Sequence, residues 1–102
     1  RLPVKVLVLN NGHLGMVRQW QELFYNNNCV ATNMRWQPDF VKLAEAYGAE
    51  GVRISTEQDL ADLLPAALRS PRATVIDVRV EPEENVYPMV PTGAALDEML
   101  LV

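Results

Sequence analysis

Apolar and polar positions along the chain fall into short blocks with two different periods. Val4 to Leu9 (VKVLVL) is apolar except for Lys5 and rich in β-branched residues. That predicts a strand covered on both faces, as in a parallel sheet. Leu14 to Tyr25 (LGMVRQWQELFY) sets Met16, Val17, Trp20, Leu23 and Phe24 at helical spacing, predicting an amphipathic helix. Asn26-Asn27-Asn28, three poor helix formers, ends it. Cys29 to Gln37 has no period and reads as irregular. Pro38 and Asp39 open a second helix, in which Phe40, Leu43, Ala44 and Tyr47 share a face and Gly48 is the terminator. Gly51 to Ile54 predicts a strand, and Ser55-Thr56-Glu57-Gln58 a capping box. A one-sided helix follows through Leu60, Leu63, Leu64, Ala67 and Leu68; Pro65 should kink or split it, and Pro71 closes it. In Ala73 to Val80 (ATVIDVRV), Ile76, Val78 and Val80 alternate with Asp77 and Arg79, the pattern of a half-exposed or terminal strand.

The order strand–helix–helix–strand–helix–strand predicts an α/β fold, a doubly wound parallel sheet flanked by helices over residues 1–80. Residues 81–102, with three prolines and no clear period, read as an irregular tail draped over something. No internal repeat is present. Sheets of this kind bind ligands in the crevice beyond the carboxyl ends of their strands. Asn10-Asn11-Gly12-His13 sits at such an end.

Composition narrows the classes. A chain of 102 residues is one domain at most, and 49% hydrophobic with 22% charged residues is ordinary for a globular protein. The net charge of −4 and nine basic residues scattered singly argue against a nucleic-acid grip. Cys29 is the single cysteine, which excludes an internal disulfide and fits a reducing, cytoplasmic setting. No apolar run approaches the roughly 18–20 residues of a membrane helix, and no signal-peptide pattern opens the chain. The start "RLPVKV", almost directly on a strand and without an initiator Met, suggests a piece of something longer.

An asparagine oxygen is a neutral hard ligand suited to Mg²⁺ or Ca²⁺. Two consecutive asparagines leaving an extended chain point in different directions, so one of the pair faces the crevice. Gly12 lets a backbone carbonyl turn inward, and the start of the next helix offers free N–H groups to a phosphate. Mg²⁺ commonly bridges one or two protein groups to a phosphorylated ligand, so a diphosphate cofactor fits better than a free ion. On residue types alone, Asn-Asn-Gly also reads as a plain turn. His13 then reads as a hydrogen-bonded loop residue, and Met16, Trp20 and Phe24 as core.

"VLVLNNGHLGMVRQWQELFY" followed by "PDFVKLAEAYGA" resembles the carboxyl-terminal part of the catalytic subunit of the acetolactate synthase (acetohydroxyacid synthase) family, and "ENVYPMVPTGAALDEML" resembles its end. The likeness runs over essentially the whole chain; "NNNCVATNMRWQ" diverges, and Pro65 is unusual for a helix. The resemblance implies a thiamine-diphosphate enzyme whose Mg²⁺-diphosphate motif begins with Gly-Asp-Gly and ends with an Asn-Asn pair. It implies that Asn11 gives its side-chain oxygen to Mg²⁺ and His13 its backbone carbonyl, the ring staying free. Gly12, Leu14, Gly15, Met16 and Val17 would line the cofactor and its approach. Trp20 would border the substrate channel and the herbicide site, with Thr92 in the tail beside it. The implied reaction is decarboxylation of pyruvate and transfer of the hydroxyethyl unit to a second 2-keto acid, pyruvate or 2-ketobutyrate, toward valine, leucine and isoleucine. The products are 2-acetolactate or 2-aceto-2-hydroxybutyrate. FAD, bound by another domain, a homo-oligomer and a regulatory small subunit belong to the same implication.

The chain departs from the family in its reach. The Gly-Asp-Gly half should lie about one strand–helix unit before Asn11, and the pyrimidine-binding domain with its activating glutamate is also missing. No catalytic residue is therefore expected in this chain, which should be inactive alone. Two other readings remain. One is a related thiamine-diphosphate enzyme, such as the catabolic acetolactate synthase, a pyruvate oxidase or glyoxylate carboligase; the Gln19-Trp20 pair and the "VYPMVP" tail favour the biosynthetic type, and a preference for 2-ketobutyrate would separate them. The other is a stand-alone remnant acting as an interaction domain, which predicts a start codon just before Arg1. Self-association into dimers or larger is expected in either case.

Overall fold

A computed structural model describes residues 2–101; the expected unit limits at Arg1 and Val102 lie outside them. The order is β1 (Lys5–Asn10), α1 (Gly15–Phe24), α2 (Phe40–Ala46), β2 (Glu50–Ile54), α3 (Glu57–Arg69) and β3 (Thr74–Arg79). The three strands are parallel in the order β1-β3-β2, which gives the α/β architecture that the alternation of elements requires. α3 packs on the face carrying Val52, Ile54, Ile76 and Val78, where Ile54, Ile76 and Ala67 form the buried core and Leu64 closes it. α2 covers the opposite face. A Cβ on Gly51 would lie 2.7 Å from the Val41 carbonyl oxygen, so only glycine lets α2 approach β2 this closely.

Several expectations are corrected. β3 is the central strand, and Asp77 on it is 1% exposed. The alternation misled because Asp77 is paired inside the fold, with Asn10 and two arginines, and does not face water. β1, read as covered on both faces, is an edge strand with Val6, Leu7 and Leu9 exposed, Leu9 at 69%. α1 does not bury the apolar stripe its spacing suggested: Met16, Val17 and Phe24 are exposed, while Arg18 and Gln19 are buried. The sheet's packed helices are α2 and α3, and the tail holds the polar side of α1. Leu43, Tyr47, Leu60, Leu63 and Leu68 are likewise exposed, since three short strands give each helix room to bury little more than Ala44, Leu64 and Ala67.

Helix ends follow their local chemistry. Asn26 and Asn27 take positive φ (53° and 56°) just after α1, a conformation asparagine tolerates better than most residues. Asp39 caps α2, its Oδ1 accepting from the amides of Val41 (3.1 Å) and Lys42 (3.2 Å). The capping box of α3 is one residue later than expected. The Thr56 hydroxyl oxygen accepts from the Asp59 amide at 3.0 Å, and Asp59 Oδ2 accepts from the Thr56 amide at 3.1 Å. α3 runs unbroken through Pro65, because its N-terminal capping box and its packing on β2 and β3 outweigh the one missing donor. The tail is irregular, as expected, apart from two local features among the described residues. Leu96–Glu98 forms a 3-10 turn, and Met89 and Leu100 exchange two backbone hydrogen bonds of 2.9 and 2.7 Å.

Candidate functional site

The carboxyl ends of β1, β2 and β3 open on one side of the sheet, and the chain leaving β1 turns there within four residues. Asn10 and Asn11 diverge. Asn10 is buried, with its Nδ2 donating to Asp77 Oδ1 at 2.8 Å and its Oδ1 accepting from the Gly12 amide at 3.1 Å. Asn11 folds over the turn, its Oδ1 accepting from the His13 amide at 3.1 Å. Gly12 has φ +69°, a conformation that costs a residue with a Cβ roughly 1–2 kcal/mol. The His13 ring stays local, its Nδ1 lying 3.1 Å from the Asn11 carbonyl oxygen, to which it donates in the tautomer protonated there.

The backbone carbonyls of the turn are unequally used. Gly12 O accepts from the Met34 amide at 2.8 Å, and Leu14 O from the Arg18 amide at 2.9 Å. His13 O has no partner among the described residues. The Leu14 amide donates to Thr32 O at 2.9 Å, so the segment predicted as irregular pairs with the turn as a short antiparallel bridge and fixes its height. α1 then opens at Gly15 with no side-chain cap and no acidic residue in its first turn. Its leading amides have no acceptor among the described residues. A Cβ on Gly15 would lie 2.9 Å from Asn11 Nδ2, so the absence of a side chain there gives Asn11 its place against the helix.

These groups suit a small hard cation beside a phosphorylated ligand. The Asn11 amide oxygen and the free His13 carbonyl are neutral oxygen donors, and the uncapped first turn offers N–H groups and the positive end of the helix dipole to an anion. Two such oxygens are fewer than the roughly six ligands a cation of this kind takes. Among the described residues no group of three or more His, Cys, Asp or Glu side chains is placed to hold a metal.

The structure brings the expected site residues together in two places. Asn11, Gly12, His13, Leu14, Gly15, Met16 and Val17 form one continuous run across the strand end and the first turn of α1, with Leu14, Met16 and Val17 exposed. Trp20 and Thr92, far apart in sequence, line one hollow of about 170 Å³ with Phe24, Tyr25 and Pro91. The Trp20 ring meets Phe24 edge to face, centroids 5.4 Å apart.

Other site features escaped the sequence pattern. A polar hollow of about 460 Å³ beside the turn is lined by Gly12, His13, Asn33, Arg35, Arg53 and Arg79. Two of its arginines are already committed. Arg53 pairs with Asp39 (2.7 Å) and Asp77 (3.3 Å), and Arg79 with Asp77 (3.5 Å). The Lys42 amide and the neighbouring Arg53 hold the Asp39 carboxyl below its ordinary range. The tail is also stapled to α1: Gln19 Nε2 donates to Val86 O and Gln19 Oε1 accepts from the Val86 amide, both at 2.9 Å. Arg18 Nη2 reaches Glu83 O (2.9 Å) and Asn85 Oδ1 (3.0 Å). The available signal was the polar residue types themselves, an Asp inside an apolar strand and an Arg-Gln pair inside an apolar helix.

Among the described residues no helix is long and apolar enough to cross a membrane. The chain is similar to the acetolactate synthase large subunit of Parasynechococcus marenigrum, 49% identical over 97% of this chain and 16% of the relative. The acetolactate synthase isozyme 3 large subunit of Escherichia coli is 47% identical over 98% of this chain and 18% of its own length. The mitochondrial acetolactate synthase of Schizosaccharomyces pombe is 42% identical over 98% of this chain and 15% of its own. The chain thus spans about a sixth of the length of these curated relatives. The family described as thiamine pyrophosphate enzyme, C-terminal TPP binding domain, matches residues 1–78. With its parallel sheet and helix-flanked strand end, the chain belongs to the family of C-terminal TPP-binding domains of thiamine pyrophosphate enzymes.

Proposed function

We propose that this chain is part of an acetolactate synthase catalytic subunit and supplies one half of its cofactor-binding end. The observation that carries the reading is the Asn11-Gly12-His13 turn. A side-chain oxygen and a carbonyl without a partner among the described residues stand at the mouth of a parallel sheet, next to a helix with no side-chain cap. Asn11 Oδ1 and His13 O are assigned to Mg²⁺, and the amides of Gly15, Met16 and Val17 to the diphosphate. When bound, thiamine diphosphate supplies the carbanion chemistry that decarboxylates pyruvate and joins the two-carbon unit to a second pyruvate or to 2-ketobutyrate. The chain's own part is to bind and orient. Met16, Val17 and Trp20 lie along α1 beyond the turn, and the tail brings Thr92 to Trp20, shaping an approach for the second 2-keto acid.

The partners assigned to the whole protein are FAD outside this chain, further copies of itself and a regulatory small subunit, in a cytoplasmic setting. The other half of the metal site and the activating acid are assigned to segments outside these residues, so the chain alone is expected to be inactive.

The test is an exchange. The 102 residues replace the equivalent segment of the Escherichia coli isozyme 3 large subunit, with which they share 47% identity. The resulting enzyme is expected to form acetolactate from pyruvate. Asn11→Ala in it should raise the Mg²⁺ needed for cofactor retention by at least the roughly 10–100-fold typical of lost metal support. A folded but inactive exchange, or an Asn11→Ala variant with unchanged Mg²⁺ dependence, would overturn the reading.

A further inference from the structure

Asp77 is the most conspicuous polar group that the proposed function does not use. It is 1% exposed on the central strand, between Ile76 (0% exposed) and Val78. A buried carboxylate is unfavourable unless hydrogen-bonded and paired, and an apolar side chain would be the simpler occupant. The partners show what the acid does. Asp77 is level with Val8 on β1 and Arg53 on β2, and Asn10 is level with Arg79 one step further on the same face. Its carboxylate therefore receives Asn10 Nδ2 at 2.8 Å from one edge strand and Arg53 Nε at 3.3 Å from the other. Arg79 Nη2 stands at 3.5 Å, and Arg53 extends the clamp to Asp39 at the start of α2.

The consequence lies in the direction of the Asn10 amide. An ionised carboxylate only accepts, so the Asn10 NH₂ group must face Asp77. Its carbonyl oxygen is then obliged to face the turn, where it accepts from the Gly12 amide at 3.1 Å. Gly12 enters the left-handed region at φ +69°, and the next residue is His13, whose carbonyl has no partner among the described residues. Were the Asn10 amide reversed, its NH₂ would confront the Gly12 N–H and the turn would lose its anchor.

We infer that Asp77 is a positioning residue: by fixing the orientation of Asn10 from within the sheet, it sets the turn that presents Asn11 Oδ1 and the His13 carbonyl to a divalent cation. The inference rests on the proposed role of that turn. The partners of Asp77 are Asn10, Arg53 and Arg79, and it is not among the groups assigned to the cation or the cofactor. It acts through Asn10 as an outer support, the kind of partner whose loss weakens metal binding by about 10–100-fold.

The test uses the exchanged full-length enzyme and reads Mg²⁺-dependent retention of thiamine diphosphate, by fluorescence quenching, beside thermal melting. Asp77→Asn keeps the shape but can offer its own NH₂ to Asn10, and it is expected to raise the half-saturating Mg²⁺ concentration about tenfold or more. Ile76→Val, at the neighbouring buried position, should lower the melting temperature and leave the Mg²⁺ dependence alone. Asn10→Ala leaves both arginines on Asp77 and serves if Asp77→Asn does not fold. It should show the same shift, and the double variant should add little to either single change. An unchanged Mg²⁺ dependence in Asn10→Ala or in folded Asp77→Asn, where Asn11→Ala weakens it, would overturn the positioning role and spare the metal assignment. If Asn11→Ala has no effect on Mg²⁺, the metal assignment fails first, and this inference fails with it.

Discussion

Gly15 shows how one absent side chain serves the site. A glycine at the start of a helix ordinarily costs stability relative to alanine, about 0.8–1 kcal/mol in a helix interior. Here a Cβ would meet Asn11 Nδ2 at 2.9 Å, the end of a short side chain that can swing away. Gly15→Ala is therefore expected to leave melting unchanged or slightly raised while displacing Asn11. In the exchanged enzyme it should weaken Mg²⁺-dependent cofactor retention. Unchanged retention would show that Asn11 does not need its present place. Asp39 gives a second expectation at this scale. Its carboxyl is held below the ordinary value chiefly by the Lys42 amide, with help from Arg53. A depressed folded-state value means that the unfolded chain takes up protons first as pH falls. The stabilisation is thus present above the ordinary carboxylate range and is lost as pH drops through the lower folded value. Asp59, lowered first by the Ser55 amide, acts in the same direction. Melting temperature should fall as the pH drops below the ordinary carboxylate range, less steeply in Asp39→Asn; an identical slope in that variant would contradict the cap's electrostatic role.

At the scale of elements, the staple between α1 and the tail is the feature with most consequence. Gln19 is 1% exposed, and its amide pairs with both backbone groups of Val86. Gln19→Ala removes these two hydrogen bonds, worth about 1 kcal/mol net each, and the contact of Gln19 Nε2 with Met89 Sδ at 3.1 Å. Amide exchange at Val86 should quicken, and the tail should be cut more readily by proteases, with β3 unaffected. Equal protection in the variant would mean that the tail is held elsewhere. This contact also shows where sequence reading succeeds and where it stops. Strands and helices were legible because period and end signals are local: the asparagine run after α1, Asp39 before α2, Gly48 after it. The direction of α1 was not legible, since its buried partners are tail groups more than sixty residues away. Asp77 was misread for the same reason. Alternation cannot distinguish a polar side chain facing water from one facing Asn10 and two arginines.

On the scale of the whole chain, much apolar surface finds no cover. Val6, Leu7 and Leu9 on β1, Met16 and Val17 on α1, and Leu60 and Leu63 on α3 are all exposed. Apolar surface of that kind favours association when it is contiguous, and β1 also offers an open sheet edge. The isolated chain is expected to form dimers or larger species by light scattering; a clean monomer would contradict this. The candidate site was legible in outline at this scale, because a polar Asn-Asn-Gly-His run after an apolar strand marks the crevice of a parallel sheet. Which groups of the turn are already hydrogen-bonded became clear only from the bridge to Thr32 and Met34 and from the Asp77 clamp. Whether Asn11 and His13 hold the metal is read by loading the exchanged enzyme with Mn²⁺ in place of Mg²⁺, in the presence of thiamine diphosphate. The enzyme is labelled with ¹³C at the histidine carbonyl and at Asn Cγ, and the electron–nuclear coupling is measured. Strong couplings from His13 and Asn11, lost for Asn11 in Asn11→Ala, are the expected result. Their absence in an enzyme that retains both metal and cofactor would contradict the account.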